Sequence, residues 1–158
     1  FFVIASCAPL MLAPNDTVIT LVVNDPDALF AKPNYNRGLI KASCGIKDNR
    51  TNPTVQDPYN IISIVDKMKN VTWKIELPND EYEGAIEFIE KKDGTSSQRN
   101  QLPFFDAKVL KGNGGIVQRD SNNNARNKKK YTYAILFSLE KGGVTRYYSI
   151  DPKLKGNN

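Results

Sequence analysis

Apolar and polar residues alternate with a period of two along much of the chain, the repeat of a half-buried strand. In Tyr131–Leu139, the residues Tyr131, Tyr133, Ile135, Phe137 and Leu139 share one face; Thr132, Ala134, Leu136 and Ser138 share the other. Val71–Leu77 does the same, with Val71, Trp73, Ile75 and Leu77 opposite Thr72, Lys74 and Glu76. Thr17–Val23 (TVITLVV) is β-branched and nearly all apolar, which predicts a more fully buried strand. Shorter strands are predicted over Leu39–Cys44, Ile61–Val65, Ala85–Glu90, Phe104–Leu110 and Gly115–Gln118. No 3.6-residue period runs for ten residues. Pro26–Ala31 and Asn79–Ala85 are the helical candidates, and Pro or Gly interrupts each, so both read as loop.

Turn chemistry joins these strands. Gly142 and Gly143 follow Glu140-Lys141 and supply positive φ without steric cost, so Tyr131–Leu139 and Val144–Ile150 are predicted to form a hairpin. Pro152 then ends the ladder, because it has no backbone N–H to donate. Residues 24–37, 47–60, 91–101 and 120–130 are polar and rich in Asn, Asp, Pro or Gly, and read as connections. Short strands without helices predict an all-β fold, an antiparallel β-sandwich over residues 15–158. The apolar residues 1–14 precede it as an N-terminal strand or extension. Trp73 and the run Tyr131-Thr132-Tyr133 have the spacing of an immunoglobulin-like sandwich, so Trp73, Tyr131, Tyr133 and Phe137 are assigned to its core. Tyr133 stands where antibody domains carry their second bridging cysteine, so that bridge is absent.

Several segments together resemble the DP-EP family of small bacterial proteins: VTWKIEL (Val71–Leu77), QLPF (Gln101–Phe104), RDSNNN (Arg119–Asn124), KYTYAILF (Lys130–Phe137) and YYSIDPKLKGN (Tyr147–Asn157). The Asp151-Pro152 pair resembles the family's C-terminal Asp-Pro. The resemblance covers roughly residues 60–157, and residues 1–60 depart from it. It implies an immunoglobulin-like β-sandwich. It brings no activity, since the family has none established.

Composition narrows the chemistry. The chain has 158 residues, 40% hydrophobic and 25% charged, which is globular and long enough to bury a core unaided. It contains no histidine, which excludes His-dependent triads and HExxH zinc sites. Cys7 and Cys44 can close one disulfide or stay free. A formal charge of +5 is mild and implies no specific nucleic-acid partner. The basic run Arg126–Lys130 reads as a solvated loop that discourages edge pairing. Asp120, Asn122 and Asn124 place oxygens at alternate positions, as calcium requires. They lack the glycine and distal glutamate of an EF-hand loop, and Lys128–Lys130 oppose a cation, so turn chemistry accounts for them and no cofactor is expected. Glu76, Glu81, Glu83, Glu87 and Glu90 form no recognisable catalytic pair, and the chain is not expected to be an enzyme. Asn15, Asn49 and Asn70 each begin a glycosylation sequon, which matters only in a glycosylating secretory pathway. No stretch of about twenty apolar residues predicts a spanning helix.

The N-terminal FFVIASCAPLMLAP raises the functional question. The chain opens on Phe, so it is read as processed or truncated. Ile4-Ala5-Ser6-Cys7 resembles a bacterial lipobox. An apolar terminal segment can equally add as a strand to an incomplete sheet of a neighbour, or pack in its own core. The expectation is a structural subunit of an extracellular or cell-surface assembly, filament- or pilus-like, self-associating through Phe1, Phe2, Val3, Ile4, Leu10 and Leu12. The alternative is a monomeric surface adhesion module, lipid-anchored or not, binding a glycan or protein through loops such as 24–37 and 91–101.

Overall fold

The computed structural model describes residues 14–32, 36–92 and 102–157. Ten strands and two short helices fall within them: β1 (Thr17–Val23), α1 (Pro26–Phe30), α2 (Arg37–Ser43), β2 (Cys44–Asp48), β3 (Ile62–Val65), β4 (Asn70–Glu76), β5 (Glu83–Lys91), β6 (Val109–Lys111), β7 (Val117–Asp120), β8 (Lys130–Lys141), β9 (Val144–Ile150) and β10 (Lys153–Gly156). The all-β expectation holds in this broad form. The two helices correct it locally. Asp25 caps α1 by accepting from the Ala28 amide at 3.0 Å, with Pro26 in the first turn. Asn36 caps α2 by accepting from Leu39 at 3.0 Å, so Leu39–Cys44 is mostly helix where a strand was expected. The expected strand over 104–110 is largely turn; only Val109–Lys111 pairs.

Two sheets enclose one core. The first has strand order β2-β1-β4-β7. The second runs β3-β10-β8-β5-β6, with β9 also on β8. Both are mixed: β1 lies parallel to β4, and β10 parallel to β3. The purely antiparallel expectation is thereby corrected. Parallel neighbours need a long crossover, and between β1 and β4 the chain inserts both helices, β2 and β3.

Strand β8 is the spine of the second sheet. Its alternate residues from Tyr131 to Leu139 are all buried, as the period of two requires. It pairs with β5 along one edge. Along the other edge it pairs with β9 over Ile135–Lys141 and with β10 over Lys130–Thr132. The expected hairpin turn is present, with φ of 60° at Gly142 and 77° at Gly143. Asp151-Pro152 does interrupt the ladder, but the chain resumes as β10, and the Pro152 carbonyl still accepts from the Tyr133 amide at 3.0 Å.

A bulge at Glu87 shifts the β5–β8 register. The Gly112 amide donates to the Glu87 carbonyl at 2.7 Å, which draws the β6–β7 turn onto the bulge. A Cβ on Gly112 would lie 2.1 Å from the Ile86 carbonyl oxygen, a backbone atom that cannot rotate away. Gly112→Ala is therefore expected to destabilise by about 1–3 kcal/mol, the usual cost of overpacking, read as a lowered urea midpoint.

A buried polar cluster ties the sheets together at one end. The Asp48 carboxylate accepts from the amides of Arg50, Thr51 and Asn52, from Asn52 Nδ2 at 2.8 Å and from Ser63 Oγ at 2.7 Å. That folds the 48–52 turn and aims Arg50 inward. Arg50 Nη1 meets Asp66 Oδ2 at 2.5 Å, and both side chains are only 4% exposed. Asp66 also accepts from the Asn15 amide at 3.0 Å and from Asn157 Nδ2 at 2.8 Å. Burial pushes the Asp48 carboxyl upward, but these hydrogen bonds outweigh it and hold it below its ordinary 3.8. A depressed folded-state pKa contributes stability that is complete above the unfolded value and disappears as pH falls through the folded one. Stability should accordingly fall as pH drops below about 3.8, and Asp48→Asn should flatten that part of a urea-midpoint against pH curve.

Candidate functional site

The residues predicted from sequence separate into three groups. Trp73, Tyr131, Tyr133 and Phe137 lie in the core, with Trp73, Tyr133 and Phe137 fully buried and Tyr131 nearly so. Trp73, on the first sheet, donates Nε1–H to the Tyr133 hydroxyl on the second at 3.0 Å. Burial pushes the Tyr133 hydroxyl pKa far up, so it stays protonated. These aromatics join the two sheets and do not open to a cleft. The second group is the cysteines. Cys44 is a buried free thiol whose pKa burial raises to about 12; Cys7 lies outside the described residues. Iodoacetamide should leave Cys44 unmodified in the folded protein and alkylate it on unfolding, as mass spectrometry would show. The third group, Phe1, Phe2, Val3, Ile4, Leu10 and Leu12, also lies outside the described residues.

The calcium candidates are used locally. Asp120 accepts from Asn70 Nδ2 at 3.1 Å, and Asn122 caps the 3-10 turn Asn123–Arg126 by accepting from the Asn124 amide at 2.9 Å. Among the described residues, no group of three or more His, Cys, Asp or Glu side chains is placed to hold a metal. No described helix is long and apolar enough to cross a membrane.

Helix α1 closes one flank. Tyr148 donates to the Leu29 carbonyl at 3.1 Å, Arg146 donates to the Phe30 carbonyl, and Tyr82 donates to Asp27 at 2.5 Å. The Arg146 guanidinium also lies 4.6 Å above the Phe30 ring. This corner is filled by its own side chains.

The open hollows formed by the described residues include these two. One, of about 430 Å³, is floored by Leu102 and Phe104 and rimmed by Asp106, Asn122, Asn127 and Lys129. The other, of about 520 Å³, lies on the outer face of the second sheet, where β5, β8 and β9 run side by side. Glu83, Glu87, Ser138, Glu140, Thr145 and Tyr147 line it, and Tyr147 is 70% exposed. The registers explain why they converge: Ser138 pairs with both Ala85 and Tyr147, and Glu140 with both Glu83 and Thr145. The Glu87 bulge brings one more carboxylate to this face, where it accepts from Ser138 Oγ at 2.7 Å. At the opposite end of β8, Lys129 and Lys130 are exposed, and Lys130 pairs with exposed Lys155 on β10. The outer face thus gathers carboxylates near the C-terminal end of β8, where Lys141 pairs with Glu81, and lysines lie at its N-terminal end. Sequence reasoning weighed the glutamates as a catalytic pair and Arg126–Lys130 as a solvated loop that opposes a cation and discourages edge pairing. The alternation of β8 could have shown that the two charges sit at opposite ends of one strand.

No family model matches the chain, and no curated protein matches it either. The DP-EP resemblance therefore rests only on the segments that suggested it. Among solved structures, the chain is similar to an inclusion body protein of the PixA type from Burkholderia cenocepacia J2315, with a TM-score of 0.54 at 12% identity. The likeness covers 94% of this chain and 99% of that one. It corrects the functional expectation. The matching fold is that of an inclusion body protein, not of a pilus subunit or adhesin, so the extracellular filament, the adhesion module and the surface location are set aside. Among the described residues β1 is flanked by β2 and β4, and β8 by β5 on one side and by β9 and β10 on the other. What the comparison establishes is a likeness of fold to an inclusion body protein, over nearly the full length of both chains.

Proposed function

We propose that this is a non-enzymatic, self-associating protein whose work is to pack into a dense body with copies of itself. The observation that carries this reading is the full-length likeness to an inclusion body protein. In support, the buried polar residues of the core hold the fold together, through Trp73–Tyr133 and Arg50–Asp66, and neither pair lines either hollow described above. The fold in this proposal is an immunoglobulin-like sandwich in which Trp73 and Tyr133 take the place of the inter-sheet cysteine bridge.

Self-association is tested by sedimentation velocity on the purified full chain over a wide concentration range. The weight-average sedimentation coefficient should rise steadily with concentration. A single monomer boundary at every concentration would overturn the proposal.

A further inference from the structure

The outer face of β5, β8 and β9 is a sheet face that no other described strand covers, and it carries the 70%-exposed Tyr147. Glu83, Glu87 and Glu140 surround the hollow there, and none is in an ion pair among the described residues; Glu87 has only Ser138. Lys129, Lys130 and Lys155 at the far end of β8 likewise make no ion pair among the described residues. Some exposed charges elsewhere are paired, as Lys41 with Asp57, Lys47 with Glu76, and Lys141 with Glu81. One molecule thus presents two clustered charge groups of opposite sign, carboxylates around the hollow and lysines at the start of β8 and on β10. They cannot meet within it. Lys130 and Glu140 sit ten residues apart on one extended strand, about 33 Å at 3.3 Å per residue.

We infer that the outer sheet face around Tyr147 is the docking site for the Lys129–Lys130–Lys155 end of a second copy. This inference rests on the self-associating reading and names its contact. Joining one copy's acidic face to the next copy's basic end is heterologous, so each addition leaves one unused surface of each kind. Growth then has no built-in stop at a dimer, as a dense body requires. Exposed ion pairs contribute little each, so the phenolic ring of Tyr147 supplies the apolar part of the contact and the charges supply orientation and encounter. Between about 0.1 M and about 1 M salt the screening length shrinks from about 10 Å to about 3 Å, and association should weaken strongly over that range.

The test uses the full chain and two charge-reversed variants, K129E/K130E and E83K/E140K, all at exposed or half-exposed positions. Circular dichroism checks that each is folded. Each variant alone is expected to sediment as a monomer at concentrations where the unaltered chain associates. An equimolar mixture should regain association, since the first variant keeps the acidic face and the second keeps the basic end. Y147S should shift association at least tenfold toward higher concentration. If the unaltered chain associates and the variants do so equally well, or the mixture fails to recover, this contact is wrong while self-association stands. If the unaltered chain stays monomeric, the self-associating reading fails, and this contact with it.

Discussion

Asp66→Ala is expected to destabilise the fold by about 3–5 kcal/mol, the cost of leaving a buried charge without its partner. A domain of this size has only about 5–15 kcal/mol in total, so much of the urea-denaturation free energy should disappear. The reason is local. Arg50 and Asp66 are each only 4% exposed, and Arg50 Nη1 is 2.5 Å from the carboxylate. Without Asp66, the guanidinium keeps among its partners the Asn15 carbonyl at 2.9 Å and Thr17 Oγ1 at 3.4 Å, both neutral acceptors. Replacing both partners by apolar residues, as in R50M/D66L, often recovers stability at buried pairs. Here the recovery should be partial, because Asp66 also accepts from the Asn15 amide and from Asn157 Nδ2. Those two donors belong to the segments entering β1 and leaving β10. Denaturation of the single and double variants in parallel checks both statements. A loss below about 1 kcal/mol for Asp66→Ala would mean that solvent reaches the pair.

Trp73→Ala should cost a similar amount, about 3–5 kcal/mol, for a different reason. The indole is fully buried and meets the rings of Phe105 and Tyr133 edge-on, at 5.7 and 6.1 Å between centroids. Its loss leaves a cavity between the sheets that rigid strands on both sides cannot close. Tyr133→Phe is a smaller change in volume and should cost about 1–3 kcal/mol, because it strands the Trp73 Nε1–H without its acceptor. The two residues share one hydrogen bond, so their effects should not add. A double-mutant cycle through Trp73→Phe and Tyr133→Phe should give a coupling of about 0.5–3 kcal/mol. Additivity within error would mean that the hydrogen bond does not form in solution.

The parts of this fold that were legible in the sequence are those with local causes. The alternation from Tyr131 to Leu139 reports a sheet with one dry face whatever its neighbours are. Gly142 and Gly143 encode their own turn. The helices have local causes too, at Asp25-Pro26 and Asn36. At five and seven residues, however, they are too short to display a 3.6-residue period. Strand partners are not legible in this way. Nothing within Thr17–Val23 states that its neighbour lies some fifty residues on and runs parallel to it. The polar stretch 47–60 reads as an ordinary loop because its order comes from tertiary burial. Only the Asp48 carboxylate, taking up three successive amides, turns Arg50 toward Asp66. The candidate contact surface was hidden similarly. Its carboxylates come from β5 and β8, and only the registers and the Glu87 bulge bring them together.

The placement of β10 has a consequence for the chain during its synthesis. In the second sheet β3 has one neighbour, β10, which inserts between β3 and β8. Val65 leaves the ribosome 88 residues before Lys153. At about 5–20 residues per second, β3 therefore waits roughly 4–18 s with its backbone donors and acceptors unpaired. Nascent chains on one polysome are crowded together over that interval, and an unpaired strand edge is what they would first find in one another. Slow codons or chaperone occupancy between positions 65 and 153 should therefore set the yield of correctly folded chains more strongly than the same perturbations placed before β3.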